Sequence, residues 1–210
     1  MSAMTKKPGI VCNVRLAVTE DGVVITEKTE RSHSFVNNFA ALLLRSIDGV
    51  SNTDYRDVLN AAQKAALWTR YYTAQCTAGM NVLKLRGYSP PAVYNNGIII
   101  GTSNVAFSVS QYSLGAVIQH GSGSGQMVYT TMPTPSDPAY TAPDILLMIS
   151  RDFTNNSGAS ITVREIGFMG STAMSDQQVA SVLFARDVVG DTVVTNGQVL
   201  NVQYIFKTVV

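Results

Sequence analysis

Leu200, Val202, Tyr204 and Phe206 fall on one side of an alternating run, and Asn201, Gln203 and Lys207 fall on the other. Period-two alternation of this kind predicts a strand with one buried face. Asn196-Gly197 stands just before it, and Asn-Gly readily takes the two positive φ angles of a type I′ turn. Val193 and Val194 are therefore expected to fold back on residues 198–206 as a hairpin. The last third of the chain, residues 159–210, reads as its best-patterned part, and no catalytic residue set is visible in it or elsewhere.

Other stretches repeat the pattern. Residues 9–18 alternate, with Ile10, Cys12, Val14, Leu16 and Val18 as the apolar set. Asp21-Gly22 then signals a hairpin to residues 23–29. The triple Ile98-Ile99-Ile100 between Gly97 and Gly101 suits a strand covered on both faces. Further strands are expected over residues 79–86, 105–109, 111–120, 126–132, 144–151, 159–169 and 179–188. Gly121 to Gly125 lacks the Gly-Lys-Ser/Thr close of a phosphate loop and precedes a strand-like segment, so it reads as a flexible hairpin loop. Four prolines between Pro133 and Pro143 mark an irregular surface loop.

Two helices are expected near the N-terminus. Ser34 is a good N-cap, Phe35, Phe39, Leu42 or Leu43 and Ile47 follow at helical spacing, and Gly49 ends the run. Over residues 51–72, Val58, Ala62, Ala65 and Thr69 recur at helical spacing, although the end, from Trp68 to Thr73, favours strand. The whole predicts a single, mainly β domain over residues 1–210. It would be a jelly-roll-like antiparallel β-sandwich with its core in residues 97–210 and a helical segment or insertion in residues 33–72.

Composition narrows the function. With 210 residues the chain can bury a sizeable core without cross-links. The net charge is +1 and charged residues make up 14%, against roughly 25% in soluble domains generally. Nothing forms the basic stripe of a nucleic-acid binder. Low charge beside 46% hydrophobic residues fits a surface covered by other subunits, or one rich in Ser, Thr and Asn. Cys12 and Cys76 lie in no metal-ligand spacing and read as free thiols, and no cofactor is implied. The N-terminus lacks a signal-peptide core, and no apolar run nears the ~20 residues of a membrane span. A soluble protein made in the cytoplasm is expected.

Candidate functional residues are few. Ile149-Ser150-Arg151-Asp152-Phe153 is echoed by Phe184-Ala185-Arg186-Asp187-Val188, each followed by an Asn/Gly turn. Neighbouring strand residues point to opposite faces, so each arginine and aspartate would pair across strands or across a subunit boundary. Glu165 lies on an apolar strand and needs a partner, for which Arg186 or Arg151 is the natural choice. The competing use, a general acid, would want a second carboxylate or a histidine nearby. His33 and His120 have no nucleophile and acid at interpretable spacing. Trp68, Tyr71 and Tyr72 could form an aromatic contact surface or fill core and rim.

The order of several motifs carries a resemblance. Val163-Arg164-Glu165-Ile166-Gly167-Phe168, then Leu183-Phe184-Ala185-Arg186-Asp187-Val188, then Asn196-Gly197 and Leu200-Asn201-Val202-Gln203-Tyr204 resemble the C-terminal pattern of tailed-bacteriophage virion proteins of the tail-collar-fibre type. Gly97-Ile98-Ile99-Ile100-Gly101-Thr102-Ser103 and Ser32-His33-Ser34-Phe35-Val36-Asn37-Asn38-Phe39 look like their upstream counterparts. The resemblance implies a non-enzymatic structural protein of the virion, made in the host cytoplasm. Its partners would be other virion proteins and copies of itself, with neither nucleic acid nor membrane. Tail, collar, fibre base and capsid surface all remain open as its position. The alternative is a carbohydrate- or receptor-binding β-sandwich module, with Trp68, Tyr71, Tyr72, Tyr88 and Tyr94 as stacking residues.

Overall fold

The computed structural model describes residues 9–32, 35–37, 39, 54–56, 62–64, 92, 96–133, 139–141, 144–173 and 179–209. They form a mainly β protein. The strands are β1 (Gly9–Glu20), β2 (Val23–Arg31), β3 (Asp54–Arg56), β4 (Ala62–Lys64), β5 (Gly97–Gly101) and β6 (Val128–Tyr129). They continue with β7 (Ala139–Thr141), β8 (Asp144–Thr154), β9 (Ile161–Ala173), β10 (Val179–Val194) and β11 (Val199–Val209). The larger antiparallel sheet runs β2-β1-β11-β8, with β6 and β7 both on β8. The smaller runs β10-β9-β5.

The two sheets share one apolar core. Val14, Leu16 and Val18 of β1 and Leu200, Val202 and Tyr204 of β11 are all buried in it, on the faces their alternation predicts. Phe168 of β9 meets Tyr204 of β11 with ring centroids 5.6 Å apart. All three isoleucines of β5 are buried.

The first hairpin forms as expected. Asp21 and Gly22 both take positive φ, 49° and 79°, which a type I′ turn requires. The expected last hairpin does not form. Gly197 takes φ 90° and Asn196 is not among the positive-φ residues, so the turn is not type I′. The chain there crosses between sheets: β10 belongs to the smaller, and β11 pairs with β1 and β8 in the larger. Residues 155–160 make the matching crossing from β8 to β9.

The two crossings are clamped together by Asn155, which is fully buried. Its main-chain N–H donates to Gln198 O (3.0 Å), and its main-chain oxygen accepts from Gly197 N (2.7 Å). Its side-chain Nδ2 donates to Ala159 O (2.8 Å) and Val194 O (2.7 Å). Oδ1 accepts from the N–H and the hydroxyl of Ser157. Asn155→Ala takes the side-chain donor from Val194 O, leaves Ala159 O to the Ser157 hydroxyl, and is expected to lower stability by about 1–3 kcal/mol, read from urea unfolding.

The N-terminal helices are largely outside the described residues. Asn37 and Phe39 are helical. Between residues 51 and 72, the described residues are strands instead: β3 and β4 pair antiparallel, with Asp54 opposite Lys64. At Ala62 strand pairing overrides the residue's intrinsic helix preference. Phe35 bridges Ala185, and Val36 N donates to Phe184 O at 3.0 Å. That contact falls at an irregularity of β10 between Leu183 and Ala185.

Candidate functional site

Glu165 and Arg186 meet on neighbouring strands. Arg186 stands opposite Gly167 and Val188 opposite Glu165, so the two charges are diagonal neighbours, a spacing long side chains bridge easily. Arg186 Nε lies 2.7 Å from Glu165 Oε2, and both side chains are fully buried. Arg186 Nη1 also donates to Val105 O (3.0 Å) and Gln111 Oε1 (3.2 Å).

The carboxylate has further donors. Ala116 N and Ser103 N reach Oε1 at 2.7 and 3.3 Å, and Gly115 N reaches Oε2 at 3.0 Å. Every one of these contacts gives a hydrogen to Glu165. That arrangement gives both carboxylate oxygens hydrogen-bond partners. The pair therefore fastens the irregular segment 102–116 onto the smaller sheet. Gly101 and Gly115 belong to the same fit. A Cβ at Gly101 would run into Glu165 Oε1 and Ala116 O, and one at Gly115 would sit 2.6 Å from Ser103 Oγ. A Cβ at Gly167 would collide with Leu114 Cδ1.

Arg151 makes a second buried fastening. Its Nε donates to Thr130 O (3.0 Å), and its Nη1 donates to Asn96 O and Ile98 O (both 3.2 Å). Its guanidinium carbon lies 4.9 Å from the Tyr129 ring centre. Arg151 so ties β8 of the larger sheet to the start of β5 in the smaller. Burial pushes its pKa down to about 10, which leaves it cationic at neutral pH. Tyr129 sits beside it and donates to Ile118 O at 2.7 Å.

Asp187 points the other way from Arg186. Its Oδ2 accepts from Ser32 Oγ (3.0 Å) and from Tyr204 OH (2.9 Å) between the sheets. Burial first, and then the Asp187 charge, hold the Tyr204 hydroxyl well above its usual pKa. The same two causes push the buried Cys12 thiol up to about 12. A thiol at that value is almost wholly protonated at neutral pH and a poor nucleophile. Maleimide or iodoacetamide is therefore expected to label Cys12 far more slowly in the native chain than in urea, read by peptide mapping at that residue.

The candidates thus separate. Glu165 and Arg186 come together, Arg151 stands at the β8–β5 junction, and Asp187 lies between the sheets. Trp68, Tyr71, Tyr72, Tyr88, Tyr94, His33 and Cys76 lie outside the described residues. His120 Nδ1 accepts from Tyr129 N at 3.0 Å. Among the described residues no group of three His, Cys, Asp or Glu side chains could hold a metal ion. No helix among them is long and apolar enough to cross a membrane. Sequence reasoning missed the Asn155 clamp and the Tyr129 ring beneath Arg151. Only the turn chemistry of Asn155-Asn156-Ser157-Gly158 pointed toward the former.

One apolar cavity of about 370 Å³ opens between the inner face of the larger sheet and the rings of Phe35, Phe39 and Phe168. Ile10, Ile145 and Phe206 belong to its lining. Ile10 is 76% and Ile145 43% exposed. Comparison of the chain with protein-family models, with curated proteins and with solved structures finds no match.

Proposed function

We propose that this chain is a structural component of a tailed-phage virion, a jelly-roll-like β-sandwich that works by assembly and not by catalysis. The observation that carries this reading is the apolar cavity beside Ile10 and Ile145, whose side chains stay exposed. Exposed apolar surface around a cavity is what a protein-binding face requires. Two further features support it. The buried charges Glu165, Arg186 and Arg151 are engaged with the protein's own backbone and side chains, which is fold-holding work. Only 14% of residues are charged, as in chains whose surface is covered by neighbours.

On this reading the partners are copies of the same chain and other virion proteins. The chain takes no cofactor and contacts neither nucleic acid nor membrane. It is made in the host cytoplasm and resides in the particle, whether at tail, collar, fibre base or capsid surface. Sedimentation of the purified chain over a range of concentrations, with mass spectrometry of particles from the producing culture, tests the reading. Self-association weakened by Ile10→Lys, together with presence in particles, is expected. A chain that stays monomeric at every concentration and is missing from particles rules it out.

A further inference from the structure

The sequence contains two Asn-Gly steps, Asn96-Gly97 and Asn196-Gly197, and the fold treats them in opposite ways. At the first, Gly97 N donates to its own neighbour's side-chain oxygen, Asn96 Oδ1, at 3.0 Å. The Gly97 nitrogen is therefore held against the Asn96 side-chain amide, one bond from its carbon. The main-chain oxygen of Asn96, which belongs to the same peptide unit as Gly97 N, accepts from Arg151 Nη1 at 3.2 Å. Arg151 is 1% exposed.

At the second step the groups are turned apart. Gly197 N donates to Asn155 O at 2.7 Å. The Asn196 side-chain oxygen accepts from Gly158 N at 2.8 Å. The Gly197 nitrogen and the Asn196 side-chain oxygen are each engaged elsewhere.

We propose that Asn96-Gly97 is a self-modification site, at which the Gly97 nitrogen closes on the Asn96 side chain and converts it to aspartate or isoaspartate. Hydroxide removes the Gly97 N–H proton. The resulting charge spreads onto the Asn96 main-chain oxygen, where the Arg151 guanidinium already donates a hydrogen bond. A buried donor aimed at an oxygen that gains charge during reaction is the arrangement that lowers a barrier most. The nitrogen then bonds to Asn96 Cγ, and the bond from Cγ to Nδ2 breaks. Ammonia leaves, taking its proton from water, and a five-membered succinimide remains. Water adds to one of the two ring carbonyls and opens the ring. The net change is amide plus water to carboxylate plus ammonium, with no redox partner. Arg151 acts here as a positioning and charge-stabilising residue.

The test is peptide mapping by mass spectrometry of the full chain, held for days at neutral and mildly alkaline pH, both folded and in urea. In urea the two sites are expected to convert alike. In the folded chain Asn96 is expected to convert faster than Asn196, whose reacting groups are held apart. The Asn96 rate should rise with hydroxide concentration. In a folded Arg151→Lys chain the Asn96 rate is expected to drop about tenfold, with Asn196 unmoved. An Asn96 that converts no faster than Asn196 in the folded chain overturns the proposal. This comparison needs only the unaltered chain, so it decides even where Arg151→Lys does not fold. An unchanged Asn96 rate in a folded Arg151→Lys chain overturns the role of Arg151.

Discussion

Arg186→Met is expected to lower the unfolding free energy by about 3–5 kcal/mol, because it leaves Glu165 as a buried charge without its cation. Both side chains are fully buried at a separation of 2.7 Å, so solvent cannot take over for the missing partner. Glu165→Ala is expected to cost at least as much. It removes the acceptor for Ser103 N, Gly115 N and Ala116 N as well as the partner of Arg186. Losing each of these part-buried hydrogen bonds adds about 0.5–1.5 kcal/mol. The double replacement Glu165→Leu with Arg186→Met does not restore stability. Apolar substitution of a buried pair works only when both partners leave together, and here the three backbone amides remain. Equilibrium urea unfolding of the four proteins checks this. Single variants within about 0.5 kcal/mol of the parent, the range of an ordinary surface change, would contradict it.

The second large effect is at Arg151. Arg151→Met roughly keeps the side-chain volume but takes the donor away from Thr130 O, Asn96 O and Ile98 O. It also removes a cation lying 4.9 Å from the Tyr129 ring centre. A loss of about 3 kcal/mol is expected from the unsatisfied carbonyls and the lost ring contact. Arg151→Lys is expected to recover less than half of it. One ammonium cannot reproduce a planar fork that reaches three separate carbonyls. Thermal unfolding of the two variants makes the comparison, and a lysine variant as stable as the parent would count against this account of the junction.

The parts of the fold that depend on local pattern were legible in the sequence. The buried faces of β1 and β11 follow from alternation alone. The β1–β2 hairpin follows from Asp21-Gly22, and the structure puts Arg186 beside Glu165. The last turn was misread because Asn-Gly permits a type I′ turn without requiring it. The φ of Asn196 decides the matter, and the contacts of Asn155 with Gln198 and Gly197 come from a distant part of the chain. The Arg-Asp echo misleads for a similar reason. In β8, Arg151 faces the core, and Asp152 pairs with Asn201 on the other side. In β10 the register shifts between Leu183 and Ala185, and a bulge turns the residues that follow it. There Asp187, not Arg186, faces Tyr204. A one-residue bulge leaves no mark in composition or spacing. The strands expected over 105–109 and 111–120 do not form: segment 102–116 is irregular, and it is held by side chains of β9 and β10 and not by a regular ladder.

The Glu165–Arg186 pair holds segment 102–116 onto the smaller sheet. Native-state hydrogen exchange at the amides of Ser103, Gly115 and Ala116 tests it most directly, because all three donate to Glu165. The account predicts that these amides exchange only through global unfolding, and that Arg186→Met opens them well before the amides of Leu200 and Val202. Exchange at the speed of an unprotected surface loop in the parent protein would contradict it.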